Sequence, residues 1–294
     1  MVQKIRSGLR TWKLTLEYEG TKFHGWQDQN NARTVQGELL KAARDYFIGE
    51  VEIQGAGRTD AGVHAIALVA HLRVFQSTAK VEKLRAPELK RELNVRLPAE
   101  IVILDVDEAP NEFHARHDAT SRAYLYQIST RRTAFSKKHV WWIKERLNVK
   151  AMAAAAKLLE GRHDFTCFRA PDPSKPGDSP IVVVGFAAIE QQSHLIMFHI
   201  EASHFLWKMV RRIVGTLAKI GSGEITEQQF RGLLTGKCDS KLDVASWTAP
   251  SSGLFLERVV YEAGTDANYQ SSDHGRRGSA TGITASDSDR SRRR

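Results

Sequence analysis

The sequence predicts an α+β fold, a mixed sheet with flanking helices, and three observations predict it. Strand-like and helix-like patterns alternate through residues 12–261 with no short tandem repeat. Hydrophobic residues make up 41% and charged residues 26%, a balance that excludes collagen-like and fully disordered chains. At 294 residues the chain is long enough for about two domains, or one large one, without covalent staples.

Each element has its own signal. Trp12, Leu14, Leu16 and Tyr18 share one face of a period-2 strand, followed by the polar loop GTKFHGWQDQNNAR. Thr34 can cap a helix reaching residue 47, with Val35, Leu39 and Phe47 among its apolar positions. Residues 50–54 read as a short strand. GAGRTDAGVHA occupies 55–65, and a long apolar strand leaves it over 66–75. A helix is expected over 80–93 and a strand over 101–106. In the second half 119–129 (ATSRAYLYQIS) is a strand and the Ala-rich 149–159 a helix. Residues 181–189 and 194–201 look like a hairpin. Residues 205–220 form a strongly apolar helix punctuated by Gly221 and Gly223. Thr226 can cap a helix to 234, and 254–261 closes the fold as a strand. Within the second half, 169–180 (RAPDPSKPGDSP) holds four prolines and reads as a long surface loop.

The expected organisation is an N-terminal extension (1–10), an N-terminal half carrying GAGRTDAGVHA (11–110), a C-terminal half (111–263) and a tail (264–294). The tail is rich in Ser, Gly, Asp and Arg and nearly free of apolar residues, so it is expected to be disordered. The longest apolar stretch, 181–189, is too short to span a bilayer, and MVQKIRSGLRTWK lacks the apolar run of a secretory signal. A cytoplasmic protein is expected. The two cysteines, Cys167 and Cys238, are far apart in sequence, which argues against a disulfide framework or a cysteine zinc site of the usual spacing.

Lys+Arg 43 against Asp+Glu 34 gives a net charge of +9, a balance that attracts polyanions. GAGRTDAGVHA has the strongest local character. Gly55, Gly57 and Gly62 allow close backbone approaches, and between them Arg58, Thr59 and Asp60 present a guanidinium, a hydroxyl and a carboxylate. Such a loop suits a bulky substrate pressed against the backbone. It is equally an ordinary glycine-rich turn whose Asp60 makes a local cap. Other motifs fail. GAGRTD has Asp60 where a dinucleotide fingerprint needs glycine, and no phosphate loop or GxSxG elbow is present. The pairs His64/His71 and His114/His117 lack the context of a metal site, so no metal is expected. Aromatic and basic residues interleave in FHGW (23–26), FHAR (113–116) and FTCFR (165–169). Those rings could stack on unpaired bases or anchor the loops in the core. Arg211 lies on a mostly apolar helix face, where a buried arginine needs a carboxylate, and Asp60 is a candidate.

Together these blocks resemble the tRNA pseudouridine synthase A family, whose members isomerise uridine at tRNA positions 38–40 in the anticodon arm. The resemblance runs over about residues 10–262. In order it comprises LEYEGTKFHGWQDQ, TVQGEL, GAGRTDAGVHA, LNVRLPAEI, FHARHDATSRAYLY, GRHDFTCFR, FLWKMVRRIVGTL and GLFLERVVY. It implies two ferredoxin-like-derived halves around a mixed, mainly antiparallel sheet, with the active-site cleft between them. It implies that Asp60 is the catalytic aspartate, that Arg58 helps extrude the target base, and that Tyr124 packs on the uracil. Arg211 would pair with the aspartate, and Leu254 would line the pocket. It implies a homodimer acting on tRNA. Ser203, His204, Trp207 and Lys208 depart from the pattern, and the tail lies outside it. The reaction breaks the C1′–N1 bond, turns the uracil and rejoins it through C5. No redox change or net hydrolysis occurs, so no cofactor is expected. Flipping the base costs a few kcal/mol. Asp60 would either attack C1′ or C6 or take the 2′ proton, and both roles need the ionised carboxylate, which a neighbouring arginine favours. The competing classes are a non-catalytic RNA-binding protein of the same fold, which would not need Asp60, and a metal-dependent nuclease, which would need several clustered carboxylates.

Overall fold

In the computed structural model, residues 9–75, 78–172 and 177–262 are described. The tail, most of the N-terminal extension and the middle of the proline-rich loop lie outside them.

The chain begins with β1 (Leu9–Tyr18), whose Trp12, Leu14, Leu16 and Tyr18 all point into the core, as the alternation requires. α1 (Val35–Tyr46) starts where Thr34 accepts the N–H of Gly37, a cap worth about 1 kcal/mol. β2 (Val51–Gly55) and β3 (His64–Phe75) follow. The single helix expected over 80–93 is two, α2 (Ala79–Lys83) and α3 (Ala86–Arg96). Leu84 and Arg85 are extended, and Pro87 opens the second helix in its first turn, where a missing N–H costs nothing. β4 (Ile101–Ala109) completes the first half.

The second half contains β5 (Ala119–Ser129), the two-residue β6 (Trp141–Trp142), α4 (Val149–Lys157), β7 (Gly161–Asp164), β8 (Ile181–Gln192) and β9 (Leu195–Ala202). α5 (Met209–Gly221), α6 (Glu227–Leu233) and β10 (Leu254–Tyr261) finish it. α6 opens with a full capping box between Thr226 and Gln229. α5 begins four residues later than the apolar pattern suggests. Lys208 at its N-cap is left-handed (φ 60°), so residues 205–208 reach the site as extended chain and turn. β6 and β7 are too short to show any periodicity.

One sheet runs through the described residues in the order β4-β1-β3-β10-β5-β9-β8-β7, with β2 also on β3 and β6 on β5. Its pairings are antiparallel except β10–β3 and β5–β6. β1 lies along the whole of β3, from Leu9 opposite Phe75 to Tyr18 opposite Ala65. The other edge of β3 is therefore shared. β2 takes residues 70–74, and β10 takes only His64 and Ala65. Where β2 leaves that edge and β10 has not yet joined it, the chain is free to turn outward, and GAGRTDAG fills the gap. The sequence's strongest motif thus sits near the middle of the sheet, where a strand from the end of the chain meets strands from its first half.

Cys167 and Cys238, read from sequence as distant, form a disulfide with their Cα atoms 5.4 Å apart. It is a single cross-link over a separation of 71 residues, and linear distance carried no information about it. Cys238 is exposed and open to reductant. Reduction should lower the melting temperature, with a chain-entropy upper limit of about 4 kcal/mol. Calorimetry with and without dithiothreitol checks this, and identical transitions would show that the bond adds nothing.

Candidate active site

The loop that carries Asp60 is fixed before its carboxylate is considered. Thr59 is buried, its hydroxyl 2.8 Å from that of Tyr18, and its carbonyl accepts the N–H of Trp26 at 3.1 Å. The N–H of Gly62 reaches Phe23 O, and the N–H of Val63 reaches Asp60 O. Two glycines make this clamp possible. Gly25 has φ +90°, and a Cβ there would lie 2.5 Å from the Thr59 carbonyl. Gly62 has φ +76°, with Ser251 Oγ 2.6 Å from a Cβ. Burial pushes the Tyr18 hydroxyl's pKa well above the usual tyrosine range, so it stays neutral.

Asp60 itself keeps a quarter of its side chain exposed. Its Oδ2 accepts Arg211 Nη1–H at 2.9 Å, and its Oδ1 accepts the indole N–H of Trp207 at 3.0 Å. Arg211 also donates from Nε to Ala249 O at 2.7 Å, which sets the guanidinium's angle. The arginine expected to need a carboxylate has one, supplied by Asp60 across 151 residues of sequence. Tyr124 lies on β5 among buried residues, its ring 4.9 Å from Phe205 in an edge-on contact. Burial raises its hydroxyl pKa, and the negative charge of Asp60 adds to the rise, so this ring is neutral and within electrostatic range of the carboxylate.

The remaining candidates are placed differently. Arg58 is exposed and borders a cavity of about 250 Å³ that Gln27, Gln54 and Arg116 also line. Leu254 is buried at the start of β10, opposite Tyr126 on β5, as part of the continuous core. The aromatic loops resolve toward the core. Phe23, Trp26, Phe113, Phe165 and Phe168 are all buried, so these rings hold their loops in place. Two contacts had no clear sequence signal. Trp207, 43% exposed, touches Asp60 although 147 residues separate them. Arg122 ties the carbonyls of Ala56, Arg116, Ala119 and Ser203 together behind the site loop, and an arginine inside a strand gives no hint of four backbone partners.

One group of described residues has metal-ligand chemistry, Glu19, His64 and His139. His64 does not fit the role. Its Nδ1 accepts the Gly20 N–H at 3.0 Å, and its Nε2 faces Lys138 O at 3.0 Å and so carries the proton. Ligation would use the same lone pair and strand a buried N–H, a loss of about 1–3 kcal/mol. Of the pairs considered from sequence, His64 and His71 separate, while His114 and His117 stay together with ring centroids 4.1 Å apart. His71 packs against His114, and burial together with Arg73 pushes its pKa down to about 3. No helix of the described residues is long and apolar enough to cross a membrane.

A partly exposed carboxylate held by an arginine fits several chemistries, and similarity to known proteins chooses among them. The family model described as tRNA pseudouridine synthase matches residues 15–118 and 155–262. The chain belongs to that family. A tRNA pseudouridine synthase A from Thermosipho melanesiensis is 37% identical over 255 residues, 86% of this chain and all of the relative. One from a Thermoanaerobacter species is 39% identical with the same coverage. A tRNA pseudouridine synthase A 2 from Bacillus cereus is 36% identical over 256 residues, again 86% of this chain and all of the relative. The matched regions contain Arg58, Asp60, Arg211 and Leu254, and Tyr124 lies in the stretch between them.

Proposed function

We propose that this protein isomerises uridine to pseudouridine in the anticodon stem-loop of tRNA, at positions 38, 39 and 40. The observation that carries the proposal is the carboxylate of Asp60, bound by Arg211 beside the buried ring of Tyr124. In this reading the target uridine is everted so that its glycosidic bond meets Asp60. Arg58, on the cavity rim two residues away, holds the vacated space in the stem. Tyr124 keeps the detached uracil from escaping, and Leu254 supports the pocket from β10. The C1′–N1 bond breaks, the uracil turns, and a C1′–C5 bond forms while the proton on C5 leaves and N1 gains one. Asp60 begins this by adding to C1′ or C6, or by removing the 2′ proton. Arg211 stabilises the carboxylate's charge in each case. In this reading the chain works as two halves, 11–110 and 111–263, with the cleft between them. Action in the cytoplasm as a homodimer belongs to the same proposal.

Tritium release from tRNA labelled with [5-3H]uridine tests it. Release without strand breakage is expected, and tRNAs with a single labelled uridine in the anticodon arm assign the position. Binding without release would identify an RNA-binding protein, and fragments would identify a nuclease. Because the net charge of +9 favours phosphate contacts, affinity for tRNA should fall at least about tenfold between roughly 50 and 200 mM salt. Filter binding across that range checks it, and a flat response would show that charge contributes little.

A further inference from the structure

Asp60 has two donors, and the assigned roles use only one. The second is Trp207. We propose that Trp207 is a positioning residue for Asp60, fixing the plane of the carboxylate through its indole N–H so that the group meets the substrate in one orientation. This inference rests on the isomerase reading above and deepens it.

The geometry supports it from three sides. A carboxylate turns about its terminal torsion in a broad, two-fold well, so one donor on one oxygen leaves its plane loosely set. Here Arg211 holds Oδ2 at 2.9 Å and Trp207 holds Oδ1 at 3.0 Å, and two donors on two oxygens define the plane. Each oxygen retains a lone-pair position for a reacting atom.

The indole is also aimed deliberately. Lys208 adopts φ 60° and ψ 5°, a left-handed conformation that non-glycine residues rarely take. That turn stops α5 from continuing backward and sends Trp207 across its N-terminus toward Asp60. The Lys208 ammonium then lies 5.1 Å from the indole ring, and the Trp207 carbonyl accepts the N–H of Ala170 at 2.9 Å. Backbone and ring are both held.

Burial does not explain the residue. Trp207 is 43% exposed, whereas Trp12 and Trp26 are enclosed in the core. Water could satisfy its N–H if packing were its only task. Misaligned reacting groups lose rate even when they bind, so the contribution should appear in kcat.

The ring's shape supplies the test. Histidine's Nε2 occupies the same position in its five-membered ring, counted from Cβ, as tryptophan's Nε1. Trp207→His therefore keeps a donor while losing most of the apolar area, and Trp207→Phe keeps more area while losing the donor. Wild-type and Asp60→Asn proteins are run first in the tritium-release assay. If the wild-type protein is silent, the isomerase reading falls and this inference falls with it. With the wild type active and Asp60→Asn inactive, Trp207→Phe should lower kcat about tenfold, the scale of one hydrogen bond to a charged group. KM for tRNA should stay within about twofold, because phosphate contacts carry the affinity. Trp207→His should recover most of kcat. A packing role gives the reverse order, with Phe the better variant, and would overturn the proposal. A normal kcat for Trp207→Phe, or an effect confined to KM, would overturn Trp207 alone and leave the function of Asp60 intact.

Discussion

Asp60→Asn should bind tRNA within about threefold of the wild-type protein, because phosphate contacts dominate affinity, and should show no measurable isomerisation. The change is nearly isosteric. It removes the negative charge and places an NH2 where one oxygen now accepts a hydrogen bond. Arg211 Nη1 and the Trp207 indole are both donors, so the amide oxygen can serve one of them and its NH2 must face the other. The loop should stay in place, since Thr59, Gly62 and the Asp60 backbone hold it without the carboxylate. Turnover should fall at least about a thousandfold, since an amide neither adds to a sugar or pyrimidine carbon nor accepts a proton at neutral pH. Tritium release and filter binding on the same preparation separate the two effects. Retained turnover would remove Asp60 from the chemistry, and lost binding with normal turnover per bound tRNA would make it a binding residue.

Arg211→Leu should damage stability and activity together. The side chain is 17% exposed and holds two partners, the Asp60 carboxylate and the Ala249 carbonyl. Leucine fills much of the volume and satisfies neither. The pair is not fully dry, so the stability loss should be about 1–3 kcal/mol, below that of a wholly buried bridge. Activity should fall about a hundredfold or more, because the carboxylate loses its compensating charge and one of the donors that orient it. Arg211→Lys keeps the charge but cannot serve both partners with one ammonium, and should lie between leucine and wild type on both scales. Calorimetry and single-turnover kinetics measure the two losses. A stable, fully active Arg211→Leu protein would show that the ion pair is incidental.

The strands were the most legible part of the fold. Trp12, Leu14, Leu16 and Tyr18 alternate because one face of β1 is buried, and the runs 119–129 and 254–261 became β5 and β10 at the bounds the sequence predicts. Helix boundaries were legible where a capping side chain marks them, at Thr34 and Thr226. They were not where the apolar pattern continued past the backbone's turn. Residues 205–208 look helical by composition, but Lys208 sits in a left-handed turn that no residue preference announces. Of the site, the Asp60–Arg211 pair could be anticipated because a guanidinium on an apolar face needs a carboxylate. The Trp207 contact could not, since an exposed tryptophan places no such demand on its surroundings. The Cys167–Cys238 bond escaped for a simpler reason. Spacing along a chain reports on local motifs, and this bridge joins segments that only the folded sheet and helices bring together.

The most direct measurement is a structure of the Asp60→Asn protein bound to a tRNA anticodon arm. The uridine should be out of the stack, with its uracil against Tyr124. Its ribose C1′ or C2′, or the uracil C6, should lie about 3–3.5 Å from the residue-60 side chain, the separation of reacting atoms poised for chemistry. A uridine still stacked in the arm, or everted into a site away from residue 60, would contradict the assignment of Asp60 to the isomerisation.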